Sequence, residues 1–146
     1  MLFCGAIMSI EENIAPGKIL YLNVCMPYDE VDRDKYFVVV GGESPLLLKI
    51  NTSGKQTELG KRFKEYQFKI KESIYKFLRR DSYLDCGTVW KSLLTRDEII
   101  EQLTKDPSRV KGELLADHKN EVVRLTNKSR SISPQHKRTI AEELMK

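Results

Sequence analysis

Two polar groups stand among apolar, strand-type residues. One is Arg79-Arg80-Asp81, followed by Ser82, Tyr83 and Asp85; the other is Asn51-Thr52-Ser53-Gly54, at the end of an apolar run. A guanidinium neutralises phosphate charge and a carboxylate moves a proton, so an Arg and an Asp on one face can act on a phosphodiester. Read as strand, residues two apart share a face. Arg79 and Asp81 then point one way with Asp85, which is placed to orient Arg79, and Arg80 points the other way. The same spacing fits an ion pair at a strand end equally well. The hydroxyls of Thr52 and Ser53, with the freed N–H groups of a turn, can hold a phosphate oxygen. The plainer reading of that segment is a turn closed by Asn, Thr and Gly.

The elements that must position these groups follow from punctuation and patterning. Pro16-Gly17 is a turn. Residues 18–25 read as a first strand, 27–35 as a charged loop, 36–40 as a buried strand ended by Gly41-Gly42, and 45–50 as a third strand. Residues 55–64 read as a loop and 67–70 as a short edge strand. Residues 74–78 and 82–86 are expected as strands on either side of the charged centre, with 88–93 as another. Helical signals follow. Thr95 and Glu98 form a capping box, Ile99, Ile100 and Leu103 share a face, and Asp106-Pro107 ends that helix. A second helix is expected over 113–125. A third, opened by Ser133-Pro134, runs to about Met145 with Ile140 and Leu144 on one face. Five to seven strands followed by helices indicate an α+β fold, or a small barrel decorated by helices. Residues 17–146 are expected to form one domain, with 1–16 as an N-terminal extension that is disordered.

The composition fits a single globular domain. The chain has 146 residues, 40% hydrophobic and 32% charged, and its 25 Lys and Arg exceed 21 Asp and Glu to leave a net charge of +4. That balance permits a nucleic-acid partner without requiring one. Cys4, Cys25 and Cys86 are widely spaced and fit reduced thiols in a cytoplasmic protein better than a disulfide framework or a zinc site. No metal and no cofactor is expected. No segment approaches the roughly 18 apolar residues of a membrane span. The opening MLFCGAIMSI lacks the positive start of a secretory signal, and Met8 is an alternative start. Phosphate-loop, GxSxG and HExxH patterns are absent. His118 and His136 read as exposed helix histidines and Cys86 as a core residue. The aromatics Tyr21, Tyr36, Phe37, Tyr75, Phe77, Tyr83 and Trp90 read mostly as core, or as a binding face.

Taken in order and at their separation, the two polar groups resemble the PemK/MazF family of toxin ribonucleases, over roughly residues 17–125. Gly17-Lys18-Ile19 resembles that family's opening G-[DE]-[IV] strand, and Asp34-Lys35-Tyr36-Phe37-Val38-Val39-Val40 its R-P-apolar strand. Ile50-Asn51-Thr52-Ser53-Gly54 resembles its [IV]-T-S-G segment, and Arg79-Arg80-Asp81-Ser82 its R-x-D-Q segment. The resemblance implies a small SH3-like β-barrel with C-terminal helices, a homodimer and a small antitoxin partner. It implies metal-independent cleavage of single-stranded RNA by the ribose 2′-hydroxyl. RNA carries its own nucleophile, so the protein need only position it, transfer protons and stabilise charge. Carried over, Arg79 stabilises the pentavalent phosphate, Asp81 is general base or acid, and Thr52 and Ser53 line the phosphate site. Asn51, Lys35, Arg33, Ser82 and Asp85 are the remaining candidate substrate contacts. The chain departs from the family in having Lys35-Tyr36 for Arg-Pro and Ser82 for Gln, and in carrying Tyr28 and Asp29 in a loop without histidine. The alternative is a non-catalytic SH3-like module that binds RNA or a protein segment. In either case the basic stretch 128–138 is a solvated linker or an RNA-contacting arm.

Overall fold

The runs Phe37-Val38-Val39-Val40 and Leu46-Leu47-Leu48 offer no polar face, so a sheet built from them must be covered on both sides. A computed structural model of the chain, which describes residues 10–52 and 64–146, has this arrangement. Six strands, β1 (Lys18–Val24), β2 (Arg33–Gly41), β3 (Leu46–Asn51), β4 (Gln67–Ile70), β5 (Ser82–Asp85) and β6 (Val110–Glu113), form one antiparallel sheet in the order β4-β5-β3-β2-β1-β6. The sheet curls into a half-barrel. Three helices pack with it: α1 (Arg96–Lys105), α2 (Ala116–Lys128) and α3 (Pro134–Leu144). The fold is therefore α+β and barrel-like, with α1, α2 and α3 C-terminal to the first five strands.

Strand alternation divides the core in two. Leu20, Leu22, Phe37, Val39 and Leu47 face Ile14, Met26 and the α1 residues Ile99 and Leu103. Ile19, Val38, Val40, Leu48, Ile50 and Leu84 face Val122 and Leu125 of α2 and Ile140 and Leu144 of α3. The sheet is thus a middle layer. The caps of α1 and α3 form as the sequence indicates: the Glu98 N–H donates to Thr95 Oγ1 at 3.1 Å, the Thr95 N–H donates to Glu98 Oε1 at 3.0 Å, and the His136 N–H donates to Ser133 Oγ.

Several expectations are corrected. Residues 74–78 form turns, not a strand, with backbone bonds from Tyr75 N to Lys71 O and from Leu78 N to Tyr75 O. The segment joins neither β5, whose two sides are taken by β3 and β4, nor the open edge of β4, and instead turns to bury Tyr75 and Leu78. Residues 88–93 contribute only one bridge, from Trp90 to Leu47. The helix expected over 113–125 begins at Ala116, because residues 110–113 are strand β6. The described part of the expected disordered extension is packed: Ile14 is fully buried and its N–H donates to Glu11 O at 3.1 Å, and just beyond it the Gly17 N–H donates to Val39 O at 2.7 Å. Gly17 has φ +95°, a conformation open to glycine at little cost. The loop expected over 55–64 lies outside the described residues except for Lys64.

Candidate functional site

The β3–β5 ladder determines which polar groups meet. Its last pairs are Ile50 with Leu84 and Asn51 with Tyr83. Thr52 leaves one strand where Ser82 begins the other, so the Asn51-Thr52 segment and the Arg79-Arg80-Asp81 segment arrive at the same end of the sheet. Next to them on β3 and β2, Ile50 pairs with Tyr36, and Tyr36 pairs in turn with Tyr21 of β1. A depression of about 170 Å³ opens there, lined by Tyr21, Asp34, Lys35, Tyr36, Lys49 and residues 50–52.

Three rings form a row at this end. Tyr21 and Tyr36 stand 4.4 Å apart between centroids, and Phe77, from the corrected 74–78 turn, stands 5.2 Å beyond Tyr36. Burial pushes the Tyr36 phenol above its usual range, the nearby Tyr21 phenol adds to this, and the Arg79 guanidinium opposes it. Tyr36 is therefore a neutral hydroxyl donor at physiological pH, and it feels the Arg79 charge. Among the described residues neither Lys35 nor Arg79 makes an ion pair, so the charges of both are available to an anion.

The outer edge of β1 is completed by side chains. Strand β6 pairs only as far as Leu20, leaving the backbone of Tyr21 and Asn23 without a strand neighbour on that side. Arg109 donates to Tyr21 O at 2.9 Å and to Asp34 Oδ1 at 3.1 Å. The Gln102 amide accepts from Asn23 N at 2.8 Å and donates to Asn23 O at 2.9 Å. These bonds hold the strand end, and with it Tyr21, in place. Asp34, Lys49, Gln102, Arg109 and Lys111 were not indicated as site residues by the sequence, because they come together only through pairing of distant segments.

The predicted residues divide accordingly. Asn51, Thr52 and Lys35 line the depression, and the Arg79 charge acts on the Tyr36 phenol without Arg79 lining the depression. Residues 79–81 precede β5 rather than lying within a strand, so strand alternation does not set Arg79 and Asp81 on one face. Asp81 is turned towards β4: it accepts from Glu72 N at 3.0 Å and lies 3.7 Å from Lys69 Nζ. Ser82 is buried, its hydroxyl donating to Arg80 O. Asp85 accepts from Gly87 N at 2.9 Å rather than orienting Arg79. Burial raises its carboxyl, while Gly87, the cross-strand Gln67 and Lys49 work to lower it. Arg33 donates to Asp29 at 2.6 Å on the neighbouring loop, which holds the Asp29 carboxyl below its usual range. Lys49 donates to Tyr28 Oη at 2.6 Å, with its ammonium 5.3 Å from that ring. Ser53 lies outside the described residues. His118, expected to be exposed, is partly buried, with Nδ1 2.6 Å from Tyr75 Oη. Among the described residues no group of three or more His, Cys, Asp or Glu is placed to hold a metal ion, and no helix is long and apolar enough to cross a membrane.

A scan of the chain against protein-family models gives no match, and a comparison with curated proteins finds none that matches.

Proposed function

We propose that the protein binds single-stranded RNA at the open end of its sheet, around Thr52, Tyr36, Lys35 and Arg79, and cleaves it there by attack of the ribose 2′-hydroxyl. The observation that carries this reading is the depression at the strand end, where Thr52, Lys35 and the Tyr21 and Tyr36 rings meet within reach of the Arg79 charge. Guanidinium and ammonium groups bind phosphate oxygens, and Arg79 stabilises the charge that builds as the 2′-oxygen attacks. The Tyr36 and Thr52 hydroxyls donate to the same oxygens. Asp81 is the proton carrier that the family resemblance implies. The homodimer, the small antitoxin partner and the cytoplasmic site of action belong to the same proposal.

The position of Asp81 favours a second reading, binding without cleavage, because its carboxylate is engaged by Glu72 N and Lys69 on the β4 side. Incubation of the purified protein with single-stranded RNA in EDTA separates the two. Cleavage that is lost with Arg79→Ala, and lost when the RNA is 2′-O-methylated, supports the nuclease. Binding of both RNAs with neither cut supports the module. Absence of binding to either RNA refutes both.

A further inference from the structure

Strand β6 carries a bulge that the proposed site does not use. Ile19 pairs with Gly112 and Leu20 with Val110, so Lys111 is the extra residue, left without a cross-strand partner. Gly112, which follows it, takes φ +154°. Bulges re-aim side chains and are common beside functional sites. Here the Lys111 ammonium lies 5.6 Å from the centroid of the Tyr21 ring, and the Arg109 guanidinium carbon lies 5.9 Å from the same centroid. The two cations differ in kind. Arg109 is fixed by Tyr21 O and Asp34, and its side chain is only 20% exposed. Lys111 makes no ion pair among the described residues and holds the ring only through its charge.

We propose that the RNA path continues from Thr52 and Arg79 across Tyr36 to Tyr21, where one base stacks on the Tyr21 ring in place of the Lys111 ammonium and Lys111 takes the adjoining phosphate. This rests on the RNA-binding reading above and adds a nucleotide subsite to it. Stacking a base on the ring replaces the contact of a half-buried lysine with that ring, and the phosphate that Lys111 then takes adds to the balance, so the exchange is favourable. The long lysine stem, in no ion pair among the described residues, lets the displaced charge follow the phosphate. Arg109 is a positioning residue: it fixes the strand end and the ring without needing to move. Stacking tolerates any base, so the subsite selects single strands rather than sequences.

The test uses the full chain and a fluorescein-labelled, 2′-O-methylated hexanucleotide of mixed sequence, with its DNA counterpart and a duplex of the same length, followed by anisotropy. Tyr21→Leu keeps an apolar filler but removes the ring, and should weaken binding of the single strand about 5- to 150-fold. Lys111→Gln, on an edge strand, should lower the log–log salt slope by about 0.7, the value for one phosphate contact on a single strand. Circular dichroism and thermal melting establish that both variants fold. Wild-type affinity in Tyr21→Leu together with an unchanged slope in Lys111→Gln, while Arg79→Ala still weakens binding, overturns the subsite and leaves the main site standing. Loss of effect in Arg79→Ala as well, or preference for the duplex, overturns the RNA-binding reading itself.

Discussion

Gln102 makes a quantitative test of how the site is held. Its side-chain amide forms two hydrogen bonds with the backbone of Asn23, at 2.8 and 2.9 Å, and so stands in for the rung that β6 does not reach. Gln102→Ala removes both bonds and leaves a part-buried N–H and C=O to partial hydration. At about 0.5–1.5 kcal/mol net for each bond, the loss should be about 1–3 kcal/mol. For a chain of this size each kcal/mol moves the melting temperature by about 2–4 °C, so a loss near the middle of that range lowers it by about 4–8 °C. Urea unfolding should show a lower midpoint at unchanged slope, because the exposed area on unfolding is the same. Gln102→Glu keeps the acceptor but sets a carboxylate against the Asn23 carbonyl, and should be at least as destabilising at neutral pH. Glu101→Ala, one residue away, loses only an exposed pair with Lys105 and serves as the control. If Gln102→Ala melts no lower than that control, the side-chain rung does not hold β1.

Asp85 should reverse the usual acid behaviour of a carboxylate. Burial raises its carboxyl above the ordinary value of 3.8, so the folded protein binds that proton more readily than the unfolded chain does. Its contribution to stability is then full below the unfolded value and is lost as pH rises through the folded one. Asp85→Asn keeps an acceptor for Gly87 N–H, should be more stable than wild type at pH 7, and should lose the advantage in acid; denaturant midpoints at pH 4 and 7 that move in parallel for the two proteins would contradict this. Burial pushes the Cys86 thiol far up, whereas Cys25 is exposed. Iodoacetamide should therefore label Cys25 in the native protein and reach Cys86 only on unfolding, as peptide mass analysis would reveal; native labelling of Cys86 would place it outside the core.

Local chemistry made part of this fold legible. The Thr95 and Ser133 caps, the proline stops and the doubly buried runs of β2 and β3 are signals carried within a few residues. Strand β6 has no such signal: Val110-Lys111-Gly112-Glu113 is short, half charged and glycine-containing, and is a strand only because β1 presents an edge to it. Ile74-Tyr75-Lys76-Phe77-Leu78 failed in the opposite sense. Its composition is that of a strand, but it turns to bury Tyr75 and Leu78 in the core, and tertiary context overrode propensity. For the site, residues in the apolar-to-polar transition at Asn51-Thr52 could be named from sequence, and Lys35 and Arg79 with them. The orientation of Asp81 could not, because it depends on Lys69 and Glu72 across a turn. Arg109 and Gln102 reach β1 over separations of 88 and 79 residues, which no local pattern reports.

The central claim is that single-stranded RNA sits at the Thr52–Tyr36–Arg79 end of the sheet, and titration of isotope-labelled protein with an uncleavable 2′-O-methylated oligonucleotide tests it most directly. The amide signals of Lys35, Tyr36, Asn51, Thr52 and Arg79 should move with a common saturation curve. Those of Gly42, Glu43 and Ser44, in the turn at the far ends of β2 and β3, should stay in place. Shifts clustered at that turn, or no shifts at all, would contradict the account.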